Sequence, residues 1–228
     1  MRVVLKIGGS IIKGVNENLN LKIIRDYADN IKRMIWEGYS VMVVVGGGAL
    51  AREYVNYMRS LGAPESVCDE VGIDCARLNG MILIAALKED AYPYPVQNFR
   101  EVLKLLPLNK VLVLGGVQPG QSTNAVAALL AETVSADYLI NLTNVDGVYD
   151  KNPLKYSDAK LLREVTTSEL ERILSAEPTG AGEYPLFDPL AIKIIRRSGI
   201  PTWIVNGKNP ENILKILRGE NIGTKILK

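Results

Sequence analysis

The sequence predicts an α/β fold, a mostly parallel sheet covered on both faces by helices. Three observations lead there. Short apolar runs alternate with longer segments of helical spacing, and the turns between them are short and glycine-bearing. Central runs such as residues 41–45 are continuously apolar, as a strand buried on both faces must be.

Taken in order, residues 3–7 form an apolar strand that ends in Gly8-Gly9. Residues 21–36 show helical spacing through Leu21, Ile24, Ala28, Ile31 and Ile35, and stop at Gly38. The strand at 41–45 runs into three glycines. Helices are expected at 49–61 and 71–87, the second strongly apolar. A strand at 111–114 leads to a helix at 122–134, opened by a Ser/Thr cap, and a strand follows at 138–142. Helices near 167–174 and 190–197, a strand at 202–205, a helix at 211–217 and a closing strand at 224–227 complete the alternation. The chain contains no internal repeat and no low-complexity stretch.

Composition narrows the function classes. With 228 residues, 47% of them hydrophobic, the chain can bury a sizeable core. A net charge of +2, with no basic run interleaved with aromatics, gives no reason to expect nucleic acid as a partner. No apolar run approaches the ~18 residues of a bilayer span, and no leader segment opens the chain, so a soluble, cytoplasmic protein is expected. Cys68 and Cys75 lie seven residues apart in a helical segment. Two turns separate them by about 10 Å, too far for a disulfide, so both are expected to be reduced. Histidine is absent altogether, which excludes His-based triads, phosphohistidine intermediates and imidazole bases.

The most informative feature is a set of three glycine-rich segments at strand ends: KIGGS at 6–10, VVVGGG at 43–48 and LGGVQPGQST at 114–123. A glycine turn lets backbone N–H groups close on phosphate oxygens, and the following helix adds its positive N-terminal end. Three such turns at the carboxyl ends of strands point to one crevice holding several phosphates, and so to phosphoryl transfer. Residues 144–156, NVDGVYDKNPLKY, break the alternation with turns at Asp146-Gly147 and Asn152-Pro153. Read alone they are a surface hairpin. Following a strand, they would overhang the same crevice, where Tyr149 could lie against a flat base.

The segments TNVDGVYDKNP, GGVQPGQST, VVVGGGALAR and DPLAIKII together resemble the amino acid kinase superfamily, and within it the short archaeal-type uridylate kinases, which phosphorylate UMP from ATP. The resemblance covers essentially the whole chain. It implies a three-layer αβα sandwich of about eight strands, formed by one domain over 1–228, with the acceptor mainly in its N-terminal part and ATP mainly in its C-terminal part. It also implies magnesium carried with ATP and assembly as a homohexamer, for which the apolar helix at 71–87 would supply a subunit contact. The chain carries no Walker-type G-x-x-x-x-G-K-[ST] and no G-x-G-x-x-G after its first strand.

Residue by residue, Lys6 interrupts an apolar strand just before the first glycine pair, where its ammonium can reach the β- and γ-phosphates. Gly8, Gly9 and Ser10 would wrap the donor phosphates. By resemblance Gly46 and Gly47 would meet UMP, Gly48 and Arg52 would meet ATP, and Arg52 would bracket the transferring group. Asp69 reads as an N-cap of the apolar helix, and the resemblance gives it the ribose hydroxyls of UMP. Val117, Gln118, Pro119, Gly120, Gln121, Ser122 and Thr123 would enclose UMP, the last two at a helix start that suits an anion. The resemblance also makes Asp137 the aspartate that orients two lysines, with Lys193 as the second lysine. Thr143, Asn144, Tyr149 and Asn152 would contact adenosine, Asn152 standing where many relatives carry aspartate. The residues mark no metal ligand. Competing readings are another acceptor on the same scaffold (isopentenyl phosphate, carbamate, acetylglutamate or aspartate) and a nucleotide-binding protein without turnover. Isopentenyl phosphate kinases depend on a histidine that this chain lacks, and amino-acid acceptors go with a loop lacking Pro119-Gly120.

Overall fold

A computed structural model describes residues 1–13, 19–151, 153, 155–176 and 187–228 of the chain. Its main sheet has seven strands among the described residues, in the order β3-β2-β1-β4-β8-β9-β7. These are β1 (Arg2–Ile7), β2 (Ser40–Val45), β3 (Leu112–Leu114), β4 (Tyr138–Thr143), β7 (Glu164–Thr166), β8 (Thr202–Asn206) and β9 (Thr224–Leu227). Every neighbouring pair is parallel except β8 with β9. Two residues each of β5 (Val148–Tyr149) and β6 (Leu161–Leu162) form a separate antiparallel ribbon.

Strand alternation divides the core in two. Val3, Leu5 and Ile7 of β1 pack with α1 (Leu21–Trp36), α3 (Glu65–Leu87) and α8 (Asn212–Leu217). Val4, Met42, Val44 and Leu139 face the other way, against α4 (Phe99–Leu105), α5 (Thr123–Thr133), α6 (Thr167–Ala176) and α7 (Pro189–Ser198). Helices thus cover both faces, giving the three layers that the resemblance implied. The helix α2 (Gly48–Ser60) buries no residue fully and packs on α3.

Most expected elements appear within a residue or two of their expected ends. Two differ more. The apolar helix begins at Glu65, six residues earlier than its apolar pattern, with Pro64 preceding it. Asp69 is therefore inside α3 and caps nothing, which corrects its reading as an N-cap. The helix α4 and strands β5, β6 and β7 were not anticipated, being short and weakly periodic. Both cysteines are buried and free. No helix among the described residues is long and apolar enough to cross a membrane.

The glycine turns after β1 and β2 meet backbone to backbone. A Cβ on Gly9 would stand 2.2 Å from the Gly48 nitrogen and 2.7 Å from the Gly46 carbonyl oxygen. One on Gly48, whose φ is +66°, would lie 2.6 Å from the Gly9 oxygen. These neighbours are backbone and have no rotamer with which to yield. Gly9→Ala is therefore expected to cost about 3 kcal/mol or more, the upper range of overpacking. By contrast Gly38, at φ +88° with open space around its Cβ position, should cost only ~1 kcal/mol when replaced by alanine. Urea unfolding of the two variants checks this contrast.

Candidate active site

In a parallel sheet, strand carboxyl ends and the following helix N-termini share one edge. Here the ladder continues into the turns at that edge. The Gly8 N–H donates to the Leu142 carbonyl at 3.0 Å, Gly46 to Ile7 at 2.9 Å and Gly207 to Thr143 at 2.7 Å. Glycine turns from β1, β2 and β3 therefore converge with the starts of α2 and α5. The buried Tyr27 hydroxyl donates to the Gly207 carbonyl at 2.6 Å, holding the turn after β8 from within the core. Burial pushes that phenol's pKa well up, so it remains a donor.

Lys6 stands at the centre of this edge. It pairs laterally with Val44 on one side and Asn141 on the other. Alternation with Val4 turns it toward the layer of α5 and α7. The apolar strand face ends at Lys6, beneath the helix starts. Protein surrounds the ammonium closely, although one side remains open to the crevice. That burial lowers its pKa from 10.5 to about 8, and the nearby Asp188 carboxylate pulls partly the other way.

Asp188 is one of the residues that sequence reasoning missed. It is the N-cap of α7, accepting from the Ala191 N–H at 3.0 Å. Its other oxygen accepts from the Ser122 hydroxyl. Ser122 is itself the N-cap of α5, accepting from the N–H groups of Asn124 and Ala125 at 3.1 and 3.0 Å. One chain of hydrogen bonds thus caps two helices and joins the loop at 117–123 to the helix that carries Lys193. The signal was present, since an Asp-Pro step before an apolar run is a helix start with proline in its first turn.

The segment Val117–Thr123 lies over the same edge. The Gly120 N–H donates to the Asp69 carboxylate at 2.8 Å, with Gly120 at φ +77°, so α3 holds this loop through the carboxylate rather than through a cap. The Thr123 hydroxyl oxygen is 3.6 Å from the Cβ position of Gly46, which brings this loop against the second glycine turn. Gln118 and Gly120 are exposed, Val117 and Pro119 partly so, and the Gln121 side-chain oxygen is buried without a donor among the described residues.

Beyond β4, Thr143 and Asn144 lie side by side at 3.3 Å. The Tyr149 hydroxyl donates to Asp146 at 3.3 Å, and the Asn206 amide to the same carboxylate at 2.7 Å. The Thr224 hydroxyl accepts from the Val148 N–H at 2.8 Å and donates to the Leu162 carbonyl at 2.5 Å, fastening the β5–β6 ribbon to β9. Asp146 and Asn206 were not singled out in the sequence. Asn152 lies outside the described residues.

Arg52 and Lys193 are exposed, one just past the first turn of α2 and the other in the second turn of α7. Ser10 is exposed at the end of the first glycine turn. Asp137 is elsewhere, which corrects its reading as the aspartate between two lysines. It precedes β4 and accepts from the Arg2 N–H at 2.6 Å. Residues before a parallel strand lie at the opposite edge from those after it. Five residues of β4 at ~3.3 Å each put Asp137 roughly 16 Å from the glycine turns. It lines a shallow depression there with Ser135, Ser198 and Pro201.

Because burial lowers the Lys6 pKa, the folded protein binds fewer protons than the unfolded chain between pH 8 and 10.5. The penalty for charging Lys6 is thus full below pH 8 and fades as pH rises to 10.5. Allowing for the water in the crevice mouth, it is on the order of 2 kcal/mol. Lys6→Met should therefore raise the melting temperature at pH 7, and thermal scans should find that advantage shrinking across this window.

The Amino acid kinase family matches residues 1–206. A uridylate kinase of Methanothermobacter thermautotrophicus is 49% identical over 227 residues, covering 100% of this chain and 99% of that protein. The crystal structure of uridylate kinase from Archaeoglobus fulgidus superposes with a TM-score of 0.88 at 42% identity, covering 99% of this chain and 100% of that one. UMP kinase from Bacillus anthracis has the same fold, with a TM-score of 0.83 at 21% identity. With its three layers, its glycine turns at one sheet edge and a match to relatives along its length, the chain belongs to the amino acid kinase family.

Proposed function

We propose that the protein is a UMP kinase, transferring the γ-phosphoryl group of ATP to UMP to give UDP and ADP. The observation that carries this reading is Lys6, a desolvated ammonium at the sheet edge where three glycine turns and the starts of α2 and α5 meet. Full-length similarity to proteins named uridylate kinase supports UMP as the acceptor.

The chemistry asks little of a base. The phosphate of UMP is already anionic near neutral pH, and its oxygen attacks the γ-phosphorus while the bond to the β-bridging oxygen breaks, leaving ADP. What remains is alignment and neutralisation of charge. Lys6 would meet the donor phosphates, and the N–H groups around Gly8, Gly9 and Ser10 would wrap them. Gly46 and Gly47 would face UMP, and Gly48 and Arg52 would face ATP, with Arg52 and Lys193 closing on the transferred group from α2 and α7. Asp69 has one oxygen engaged by Gly120, and its other oxygen would take the ribose hydroxyls of UMP within the loop Val117–Thr123. Thr143, Asn144 and Tyr149 would contact adenosine, together with Asp146 and Asn206, and Asn152 remains a candidate from the sequence alone. Asp188 takes over the orienting role assigned to Asp137, because it lies close to Lys6 and caps the helix of Lys193.

Magnesium would enter as part of the MgATP substrate. Among the described residues no three carboxylate, thiol or imidazole groups cluster as a cage for an ion. The chain would act as one soluble, cytoplasmic domain, with the acceptor mainly in its N-terminal part and ATP mainly in its C-terminal part. The protein would assemble as a homohexamer, and the exposed Val67, Leu78, Met81 and Ile82 on the outer face of α3 support a subunit contact there.

A phosphoryl-transfer assay with MgATP against UMP, dUMP, CMP, AMP, isopentenyl phosphate and carbamate tests the reading. UDP formation should dominate and should fall by about a hundredfold or more in Lys6→Ala. Asp188→Asn should lower kcat by about tenfold or more, whereas Asp137→Asn should stay within about twofold of the parent. Turnover on another acceptor would overturn the role of Asp69 and of Val117–Thr123. Bound nucleotide without transfer would favour a non-catalytic protein.

A further inference from the structure

Asn79 is one of seven buried polar residues among the described ones, 5% exposed on the buried, otherwise apolar face of α3. Its amide nitrogen donates to the Gly46 carbonyl at 2.9 Å and to the Gly47 carbonyl at 3.0 Å. Both partners are acceptors only, so the amide must present its NH2 end and use both hydrogens. In a planar trans peptide the C=O and the following N–H point in opposite directions. Drawing the Gly46 and Gly47 carbonyls toward α3 therefore turns the N–H groups of Gly47 and Gly48 away from it. Among the described residues neither N–H donates to another backbone carbonyl.

We infer that Asn79 is a positioning residue for phosphate: by holding two successive carbonyls from below, it aims the Gly47 and Gly48 N–H groups at the anion in the crevice. The Gly47 carbonyl has a second donor, the Ala51 N–H at 3.3 Å in the first turn of α2, but without Asn79 the peptide between Gly46 and Gly47 has wide conformational freedom and can flip, presenting a carbonyl oxygen to a phosphate. The adjacent contact with Gly9 constrains where the turn sits. Asn79 constrains which way its peptides face. A buried amide that makes two bonds to one turn also explains why a polar group is tolerated on this face of α3. This inference rests on the reading of the crevice as a site for nucleotide phosphates.

The test compares UMP with uridine, which keeps base and sugar and lacks the anion. Binding of each to the full-length protein is measured by calorimetry for the parent, Asn79→Leu and Asn79→Asp. Asn79→Leu removes the donor at similar volume, and Asn79→Asp sets a carboxylate against two carbonyls. The expected result is a tenfold or greater loss of UMP affinity in both variants, with uridine affinity unchanged, and a kcat for UDP formation that falls with it. Parallel loss of UMP and uridine would mark a merely structural role, and unchanged UMP binding would show that the turn needs no such support; either result overturns the inference. Should Asn79→Leu not fold, Asn79→Ser carries the same comparison, since its short hydroxyl cannot bridge both carbonyls. A parent protein that binds UMP no better than uridine would instead overturn the phosphate reading itself, and this inference with it.

Discussion

The placement of one lysine governs the rest of this structure. Strand alternation in β1 directs Lys6 into the layer between sheet and helices, where Val4 is already buried. An ammonium there loses hydration, and its pKa falls to about 8. The fold tolerates this because α5 and α7 begin at that level of the sheet instead of crossing over it. Their starts leave one side of the ammonium open, and Asp188 lies close enough to return part of the lost stabilisation. The result is a cation whose lost hydration is only partly replaced. A polyphosphate in the crevice would complete that replacement, so the cost of burying Lys6 would become affinity for the anion.

The groups around Lys6 are fixed by a few bonds from rigid elements. Ser122 and Asp188 cap two helices and bond to each other, which sets the distance between the acceptor loop and α7. The helix α3 supports the crevice from the other face of the sheet. It holds the acceptor loop through Asp69 and the second glycine turn through Asn79, 10 positions apart along one helix. The helix also presses Ile73 against Gly116, where an added Cβ would come within 2.5 Å of the isoleucine side chain. Loops of this kind are usually the mobile part of a site. Here protein contacts hold their backbone groups in place, the condition under which dipoles stabilise charge without reorganising.

Much of this was legible in the sequence because the physics involved is periodic or local. Continuous apolar strands, helical spacing and glycine at strand ends all survive without knowledge of tertiary contacts. Elements too short to carry a period were lost, as in the two-residue strands β5 and β6. The helix α4 was missed although Asn98 and Glu101 form a cap signature, the Asn98 side chain accepting from the Glu101 N–H at 2.9 Å. The error over Asp137 has a different origin. A residue just before a parallel strand must lie at the edge remote from the strand's glycine turn, so chain direction alone argued against it. Asp188 carried a helix-start signal, but its proximity to Lys6 depends on packing between α5 and α7, which no local pattern encodes. Asn79 was visible only as a polar residue in an apolar helix, a signal without a direction.

The division of the core explains why recognition and chemistry can be separated in this fold. The β1 strand supplies Leu5 and Ile7 to one hydrophobic cluster and Val4 to the other, so a shift of that strand would disturb both. Lys6 and its two flanking strands are therefore held by the most deeply buried part of the molecule. The acceptor loop is held differently, through single hydrogen bonds at Gly120 and Ser122 and through side chains exposed at Gln118. Substitutions in that loop alter contacts at the surface and leave the strand ladder around Lys6 intact. On the proposed function, a scaffold arranged in this way could change the molecule that receives the phosphoryl group while keeping the cation that would stabilise its transfer. On that reading, the acceptor would thus be a property of a few loop residues and Asp69, and the transfer chemistry a property of the sheet.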